Sequence, residues 1–375
     1  MPARHAAPNR AERLIAVGIL SVLAAGGISS VALARSSPAR VSEPPVRKAV
    51  TLAVATSRPT PAPRVPAKKP AAPKVTAPVA PAFPKTGCPT APRKGGPIPT
   101  PRLPPAAVPD RALPAPLPVL GKATDLAVVR GKGLWVTPWV KTKVDSRALV
   151  AQARRAGVTN LWIRTGGSRQ GYYGDHFLSE LVPRAHAAGI AVVAWDFPFL
   201  SDPLADAHRA QQALAAGVDA FSPDVESASE GTYATPRRLA LYLSAVRRYA
   251  GHRPVVATVP RPSKQRTSYP YASFAPYADV FAPMVYWSCR EPGALVVDSI
   301  KKLGRFLPVA PIGQAYDMGG EGGRAGTPSR WETLRFLDTA RRGGAIGASL
   351  WTVEEAGSAQ LQALAEYDWA TATHR

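Results

Sequence analysis

Residues 222–226 read Ser-Pro-Asp-Val-Glu, and this stretch ends the fourth of eight short apolar runs between residues 133 and 353. Helical patterns alternate with these runs, which is typical of parallel strands joined by crossover helices. Eight such units predict an α/β fold in which a (β/α)8 TIM barrel closes on itself. The predicted strands cover residues 133–139, 160–165, 191–197, 220–226, 255–260, 280–287, 309–316 and 346–353.

An open, doubly wound parallel sheet is the alternative architecture for the same alternation. Such a sheet usually carries a glycine-rich phosphate-binding turn after its first strand. The first run here instead reads Trp135-Val136-Thr137-Pro138-Trp139 toward its end. The missing glycine turn favours the barrel, and the chain after residue 123 is close to the ~250 residues typical of that fold.

Composition divides the chain into three predicted parts: residues 1–34, 35–123 and 124–375. The middle part is rich in Pro, Ala and Lys, and 23 of the 41 prolines lie between residues 36 and 118. A segment with so little apolar periodicity cannot bury enough surface to offset its loss of conformational entropy. We therefore predict a disordered, extended tether at 35–123 that precedes the barrel domain at 124–375.

The first 34 residues predict export. Basic residues precede an apolar run at residues 14–34, and Ala32-Leu33-Ala34 matches a small-x-small cleavage site. The run is about as long as the ~20 residues that span a bilayer. Two outcomes stay open, a cleaved signal peptide or an uncleaved membrane anchor through residues 14–34. Either one predicts a secreted or cell-surface barrel at the cell envelope.

The net charge of +22 is concentrated in the predicted tether, where residues 36–118 carry 13 Lys and Arg against two acidic residues. Nucleic-acid binding needs basic residues on a folded face with aromatic residues among them. No such pattern occurs, so we expect no nucleic-acid partner. His176, His186 and His208 lack the spacing of metal ligands, and we expect neither a metal nor another cofactor.

The two cysteines, Cys88 and Cys289, lie in the predicted tether and just after the sixth predicted strand. An exported chain permits a disulfide, and two cysteines allow only one pairing. Such a bond would hold the tether against the rim of the barrel. Two unpaired thiols are the alternative, and the cysteine spacing fits neither a metal site nor a catalytic pair.

Active sites of (β/α)8 barrels lie at the carboxyl ends of the strands. The predicted strand ends of this chain combine aromatic, acidic and basic side chains, as a sugar-binding groove requires, because aromatic faces stack on sugar rings and carboxyls bond hydroxyls. The alternative is that the aromatic residues simply cover the barrel core. The candidates are Trp139, Arg164, Asp196, Asp224, Glu226, Tyr286, Gln314, Asp317 and Trp351.

Asp224 and Glu226 are the catalytic candidates among these residues. Alternate residues of a strand point to the same face, so both carboxyls are expected on one side. Glu226 lies farther out and is the predicted general acid that protonates a glycosidic oxygen. Asp224 would raise the proton affinity of Glu226 by like-charge repulsion and could orient an acetamido group. The alternative is that both carboxyls only pair with Arg164 or a loop lysine.

Three motifs resemble those of glycoside hydrolase-like barrels. Asp224-Val225-Glu226 resembles the acidic motif of family 25 muramidases, which cut peptidoglycan, and is similar to the strand-four motif of family 18 chitinases. Met284-Val285-Tyr286 resembles the chitinase pattern whose Tyr helps hold the N-acetyl group during substrate-assisted cleavage. Residues 347–351, ending in Trp351, look like the last strand of such barrels. The resemblance implies cleavage of an N-acetylated polysaccharide, with peptidoglycan favoured.

The chain also departs from both families. Its first strand offers Thr137 and Trp139 where family 25 barrels usually carry an acidic residue, and Trp287 follows Tyr286 where chitinases carry Asp. Strand seven ends in Gln314 rather than a glutamate. The first hypothesis is an exported glycoside hydrolase. The second is a carbohydrate-binding wall protein without catalysis, and the third is a structural envelope protein that acts through its tether.

Overall fold

The central sheet contains nine strands in the residues that the computed structural model describes, which are 106, 108–119, 121–138, 144–263, 266–321 and 323–370. Eight of the strands follow the predicted runs. The ninth is a two-residue strand that pairs antiparallel with the end of its predecessor. The strands are β1 (Gly131–Val136), β2 (Asn160–Gly167), β3 (Gly171–Tyr172), β4 (Ala191–Phe197), β5 (Ala220–Pro223), β6 (Val256–Pro260), β7 (Val280–Val285), β8 (Ile312–Gln314) and β9 (Gly347–Trp351).

The strands other than β3 run parallel in the order β5-β4-β2-β1-β9-β8-β7-β6. Two parallel bridges, Phe221 with Val255 and Asp224 with Thr258, join the two ends of this order. Val225 N also donates a hydrogen bond to Thr258 O at 3.0 Å across the same seam. The structure therefore confirms the predicted (β/α)8 barrel and places Asp224 on its closing seam.

Helices surround the strands, and several begin at a side-chain cap. The Asp202 carboxylate accepts a hydrogen bond from Ala205 N at 3.1 Å, and the Thr235 hydroxyl accepts one from Arg238 N at 3.3 Å. A proline follows each of these caps, where its missing N–H interrupts no helical hydrogen bond. The described α-helices are α1 (Ser146–Arg155), α2 (Asp175–Ala187), α3 (Pro203–Ala215), α4 (Pro236–Ala250), α5 (Pro292–Leu303), α6 (Arg330–Arg342) and α7 (Ser358–Glu366).

The connection between β6 and β7 departs from the regular alternation. Its described residues form the 3-10 turn Tyr271–Phe274 and contain no α-helix. Phe274 is fully buried, and its ring lies 5.8 Å from that of Phe281 on β7. The turn thus covers the barrel wall where a helix packs in the other units.

Tryptophan fills the inside of the barrel. Trp135 stacks on Trp162 with ring centroids 4.7 Å apart, and Trp195 lies 5.3 Å from Trp135. All three point inward from β1, β2 and β4 because side chains alternate between the two faces of a strand. Leu134 and Val136, on the other face of β1, belong to the larger core between strands and helices.

Residues 108–119 pack against the barrel, although the sequence predicted a tether up to residue 123. Asp110 forms an ion pair with Arg238 of α4 at 2.6 Å, and Leu113 is 4 % exposed. Leu117 N donates a hydrogen bond to Ser244 Oγ at 3.0 Å. The packed part of the chain thus begins before residue 124, because Asp110 and Leu117 of this proline-rich stretch bond to side chains of α4.

Three predictions concern residues outside the described ranges, namely the apolar run at 14–34, Cys88 and Trp139. The export signal or anchor, the disulfide with Cys289 and a sugar contact by Trp139 therefore stay predictions. Of the helices that are described, none combines the length and apolar character needed to cross a membrane.

Candidate active site

A cavity of about 500 Å³ lies at the carboxyl ends of the strands and includes the seam between β5 and β6. Four of the predicted site residues line it, namely Asp224, Glu226, Tyr286 and Trp351. The predicted acidic pair and two of the predicted aromatic residues thus share one cavity. The other lining residues are Trp135, Glu230, Thr258, Pro260, Arg261, Arg266, Met284, Arg290, Ile312, Tyr316, Met318 and Glu321.

Asp224 is 7 % exposed, and its backbone lies between those of the two neighbouring strands. Its N–H donates to Asp196 O at 2.9 Å, while its other neighbour in the sheet is Thr258. Burial raises the pKa of Asp224 to about 7 against the opposing charge of Arg164, and Asp196 adds to the rise. Its Oδ1 has no hydrogen-bond partner among the described residues. A buried carboxyl oxygen without a partner is costly, so it is suited to meet a ligand.

Glu226 lies two residues farther along the chain and is half-buried in the same cavity wall. Val225, between the two acids, is fully buried in the core beneath the helices, so the predicted alternation continues past the end of β5. Burial raises the pKa of Glu226 well above its ordinary value, and the charges of Asp224 and Glu230 raise it further. Arg266 opposes the shift, but the net direction favours the protonated carboxyl.

Aromatic side chains supply much of the remaining cavity wall. Tyr286 and Tyr316 meet edge to face with ring centroids 5.4 Å apart, and the Tyr316 hydroxyl donates to Glu321 at 3.0 Å. Trp351 lies 5.7 Å from Trp135 of the inner core. These contacts hold the rings in place, and Tyr286 and Trp351 are half-buried in the cavity wall. Rigid, partly exposed aromatic rings offer the surface on which a sugar ring can stack.

Asp196 and Arg164 lie beside the cavity and are not part of its wall. Asp196 is fully buried and forms an ion pair with Arg209 at 2.5 Å. Burial raises the pKa of Asp196 to about 6 despite the charge of Arg209. The Arg164 guanidinium lies over the Trp195 ring, 5.1 Å from its centroid. Both residues act on Asp224 through their charge, and direct contact with a sugar stays a prediction for both.

Gln314 and Asp317 also lie outside the cavity wall. Gln314 is fully buried, and its Oε1 accepts from Ser288 N at 2.9 Å while its Nε2 donates to Tyr316 O at 3.0 Å. Asp317 Oδ1 accepts from Gly319 N at 2.7 Å. These bonds hold the loop after β8 and thereby position Tyr316. A sugar contact by either residue stays a prediction.

Sequence reasoning missed five charged residues of the cavity wall, namely Glu230, Arg261, Arg266, Arg290 and Glu321. Arg261 directly follows β6, so its place at a strand end was a usable signal. The other four lie in loops, whose course over the rim is not encoded in a strand or helix period. Their identity as site residues therefore depends on the tertiary structure.

The described residues offer no group of three or more His, Cys, Asp or Glu side chains arranged to hold a metal ion. Cys289 lies beyond the end of β7 and is 9 % exposed, while Cys88 is outside the described ranges. The groups that line the cavity and can take part in chemistry are carboxyls, guanidiniums and phenols.

Comparison with known proteins gives matches at the level of structure. No protein-family model matches the sequence, and no curated protein matches it. The chain is similar to the spore cortex-lytic enzyme SleL of Bacillus cereus, with 12 % identity over 63 % of this chain and 73 % of that chain and a TM-score of 0.47. It is also similar to the family 18 chitinase ChiB of Flavobacterium johnsoniae, with 10 % identity over 64 % and 94 % of the chains and a TM-score of 0.48.

A third similar structure is the family 18 N-acetylglucosaminidase of Paenibacillus barengoltzii. It has 12 % identity over 63 % of this chain and 99 % of that chain, with a TM-score of 0.46. At these identities the likeness concerns the fold alone. None of the three proteins is a close match to this chain.

Proposed function

We propose that the chain is an exported glycoside hydrolase that cleaves an N-acetylated polysaccharide of the cell envelope, with peptidoglycan as the favoured substrate. The observation that carries the proposal is the pair Asp224 and Glu226, two carboxyls with raised pKa values in one rim cavity of the barrel. Acid-assisted cleavage of a glycosidic bond uses such a pair, one protonated carboxyl and one that supports it.

Glu226 acts as the general acid in this mechanism. Burial and the charge of Asp224 raise its pKa, so the carboxyl keeps its proton to a higher pH than an ordinary glutamate does. That proton passes to the glycosidic oxygen while the bond between this oxygen and the anomeric carbon breaks, so the leaving sugar departs as an alcohol. Water then supplies the hydroxyl at the anomeric carbon, and the proton that water loses restores the acid form of Glu226.

Asp224 acts both on Glu226 and on the substrate. Its charge raises the pKa of Glu226. Its Oδ1, which bonds no described residue, is suited to accept a hydrogen bond from the N–H of an acetamido group. That bond would orient the acetamido oxygen toward the anomeric carbon, where positive charge develops as the glycosidic bond breaks.

The aromatic wall supports a sugar as the ligand. Tyr286 and Trp351 are held by neighbouring rings and are half-buried in the cavity wall. A pyranose ring has apolar faces formed by its C–H groups, and these pack on such rings without a large loss of side-chain entropy. The cell-envelope location rests on the sequence, through the predicted export segment and the predicted tether at 35–123.

A non-catalytic carbohydrate-binding wall protein is the second candidate function. It is favoured by the residues at two strand ends where related barrels carry acids. The first strand offers Thr137, and Gln314 already uses its amide to bond the backbone of Ser288 and Tyr316. Such a protein would bind a glycan in the same cavity and would release no products.

Replacement of Glu226 by Gln separates the two functions, because the amide keeps the shape of the side chain and cannot donate the same proton. We expect the purified full chain to release reducing ends from cell-wall polymer and the Glu226→Gln variant to lose at least 100-fold of this activity, within the range for general acid catalysis of roughly 10²–10⁴. Glu366→Gln, on the exposed end of α7, is the matched control and is expected to keep full activity.

Equal release of reducing ends by the Glu226→Gln variant would show that this mechanism is wrong. Binding of wall polymer without release of any reducing ends between pH 4 and 8 would favour the carbohydrate-binding protein. Binding is measured by co-sedimentation with insoluble wall polymer, so that both functions are judged on the same substrate.

A further inference from the structure

A second cavity adjoins the candidate active site. It has a volume of about 680 Å³ and shares Arg261 and Arg266 with the first cavity. Ser227, the residue after Glu226, also belongs to its wall. The two cavities therefore adjoin at Arg261 and Arg266, and the second one lies over the loops that follow β5 and β6.

Hydroxyl groups line the second cavity, and some of them lack partners within the described residues. Thr232 is 1 % exposed, and its Oγ1 bonds to no described group. The buried oxygens of Ser263 and Tyr233 are also without a partner there. Buried hydroxyls of this kind are costly unless a ligand or water satisfies them. The lining therefore fits a polar, hydroxyl-rich ligand such as a glycan.

Three arginines line the first cavity, and two of them also line the second. Arg261 and Arg266 line both cavities and are half-buried, and Arg290 lines the first. Within the described part of the chain, no carboxylate lies within ion-pair distance of these three side chains, although Glu230 and Glu321 line the first cavity. The buried arginines of the described barrel, Arg209, Arg238 and Arg247, are each paired with a carboxylate, whereas Arg290 is exposed.

The guanidiniums of Arg266 and Arg290 both repel that of Arg261, while Asp298 attracts it. Burial lowers the pKa of Arg261, and the positive charges of Arg290 and Arg266 lower it further. Like charges that are brought together with reduced solvation are unfavourable until an anion lies among them. A cluster of this kind at the edge of a cavity is therefore suited to receive a negatively charged group.

We propose that Arg261, Arg266 and Arg290 form an anion subsite, which binds a carboxylate or phosphate carried by the glycan next to the bond that Glu226 cleaves. This inference rests on the proposed hydrolase function and narrows its substrate to an N-acetylated glycan with an oxyanion substituent. Guanidiniums bind two oxygens of such a group through parallel hydrogen bonds, which lysine cannot do.

The test measures binding of matched tetrasaccharides to the full chain carrying Glu226→Gln, which binds without turnover. In the first pair, one member is the tetrasaccharide of alternating N-acetylglucosamine and N-acetylmuramic acid. The other member is the same tetrasaccharide with its carboxyl groups converted to methyl esters. The other pair is chitotetraose with and without a 6-phosphate. We expect the charged member of at least one pair to bind at least tenfold more tightly at low salt, with a smaller preference at high salt. The pair that shows the preference identifies carboxylate or phosphate as the group bound.

Variants assign the preference to the three arginines. We expect the preference for the charged tetrasaccharide to fall at least threefold in each of Arg261→Gln, Arg266→Gln and Arg290→Gln. Arg290→Lys is expected to reduce this preference less, because the charge remains. Arg155→Gln removes the same charge at the exposed last turn of α1, toward the opposite end of the barrel, and is expected to retain the preference. Thermal unfolding of each variant confirms that the fold is kept.

Two results would overturn the subsite and leave the hydrolase standing. The first result is equal affinity for the charged and uncharged members of both pairs. The second is a preference for the charged member that Arg155→Gln reduces as much as the three arginine variants do. Both results require that the unmodified chain still cleaves chitotetraose or wall polymer. Absence of binding to all four tetrasaccharides, together with no cleavage by the unmodified chain, would overturn the proposed function and the subsite with it.

Discussion

Asp224 combines near-complete burial with a carboxyl oxygen that has no hydrogen-bond partner in the described part of the chain. A carboxylate in that setting is poorly solvated, so the folded protein holds the proton more tightly than the unfolded chain does. Asp196, buried beside Arg209, is shifted in the same direction, with a pKa of about 6. The candidate site therefore lowers stability wherever the pH forces these carboxyls to ionise.

Asp224→Asn is expected to raise the free energy of unfolding more at pH 8 than at pH 4.5. The folded pKa of about 7 exceeds the ordinary value of 3.8, so the unfolded chain releases its proton first as the pH rises through this window. The wild-type chain loses stability over that range, and an amide, which does not titrate, avoids a loss of roughly 2–4 kcal/mol. Denaturant titrations at both pH values measure the difference.

The control for this experiment is Asp298→Asn, a half-exposed carboxylate of α5 that pairs with Lys302. It is expected to change stability by similar amounts at the two pH values. If Asp224→Asn gained no more at pH 8 than Asp298→Asn, the pKa of Asp224 would not be raised in the folded protein.

At the scale of elements, one buried ion pair joins α4 to the starts of β6 and β7. Arg247 of α4 is fully buried and bonds Asp279, just before β7, at 2.5 Å. Asp279 also accepts a hydrogen bond from Val255 N, just before β6, at 2.8 Å. Arg247 donates in addition to Gly251 O at 2.8 Å. Removal of one partner leaves the other charge buried and unpaired.

Arg247→Met is expected to lower the free energy of unfolding by about 3–5 kcal/mol, the usual cost of breaking a buried pair from one side. The double variant Arg247→Met with Asp279→Asn should lose less than the sum of the two single variants, because neither charge is then left alone. Arg248→Met, the exposed neighbour on α4, is the control. A loss by Arg247→Met no larger than that of Arg248→Met in denaturant titration would contradict this role.

Periodicity predicted most elements, and the exceptions have local causes. The segment between β6 and β7 carries no helical pattern, and its described residues form only a 3-10 turn. The pairing of β3 with Gly166 and Gly167 of β2 was not predicted. Two residues are too few to show a strand period.

At the scale of the whole molecule, the described chain begins before the barrel with a segment that packs on α4. Leu113 is buried, and Arg237 donates to its carbonyl oxygen at 2.6 Å. Arg238, nearly fully buried, reaches Asp110 and also donates to Leu200 O at 2.7 Å. The segment therefore covers apolar and charged groups of α4 that would otherwise face solvent.

This packing predicts where a protease cuts the chain. Brief treatment with trypsin is expected to cleave in the proline-rich stretch before residue 106 and to spare the bond after Arg111. Leu113→Ala should speed cleavage after Arg111 at least tenfold, since it removes packing worth at least about 1.4 kcal/mol. Leu204→Ala, at a leucine that is 38 % exposed on α3, is the matched control. Equal cleavage rates in the two variants would show that the segment is not held through Leu113.

The α/β barrel and the placement of Asp224 and Glu226 on one side of it could be predicted from the order of the residues alone. Both follow from short-range rules: alternation of strand and helix patterns along the chain, and alternation of faces along one strand. The same rules placed Tyr286 and Trp351 at strand ends, where the structure has them beside the two acids.

The other side chains that share the cavity with these acids could not be predicted in this way. Arg266, Arg290 and Glu321 enter its wall from loops, while Gln314 and Asp317 turn to bond the backbone instead. The reason is physical. A strand or helix repeats at a fixed period that a pattern can reveal, whereas the course of a loop depends on contacts between residues far apart in sequence.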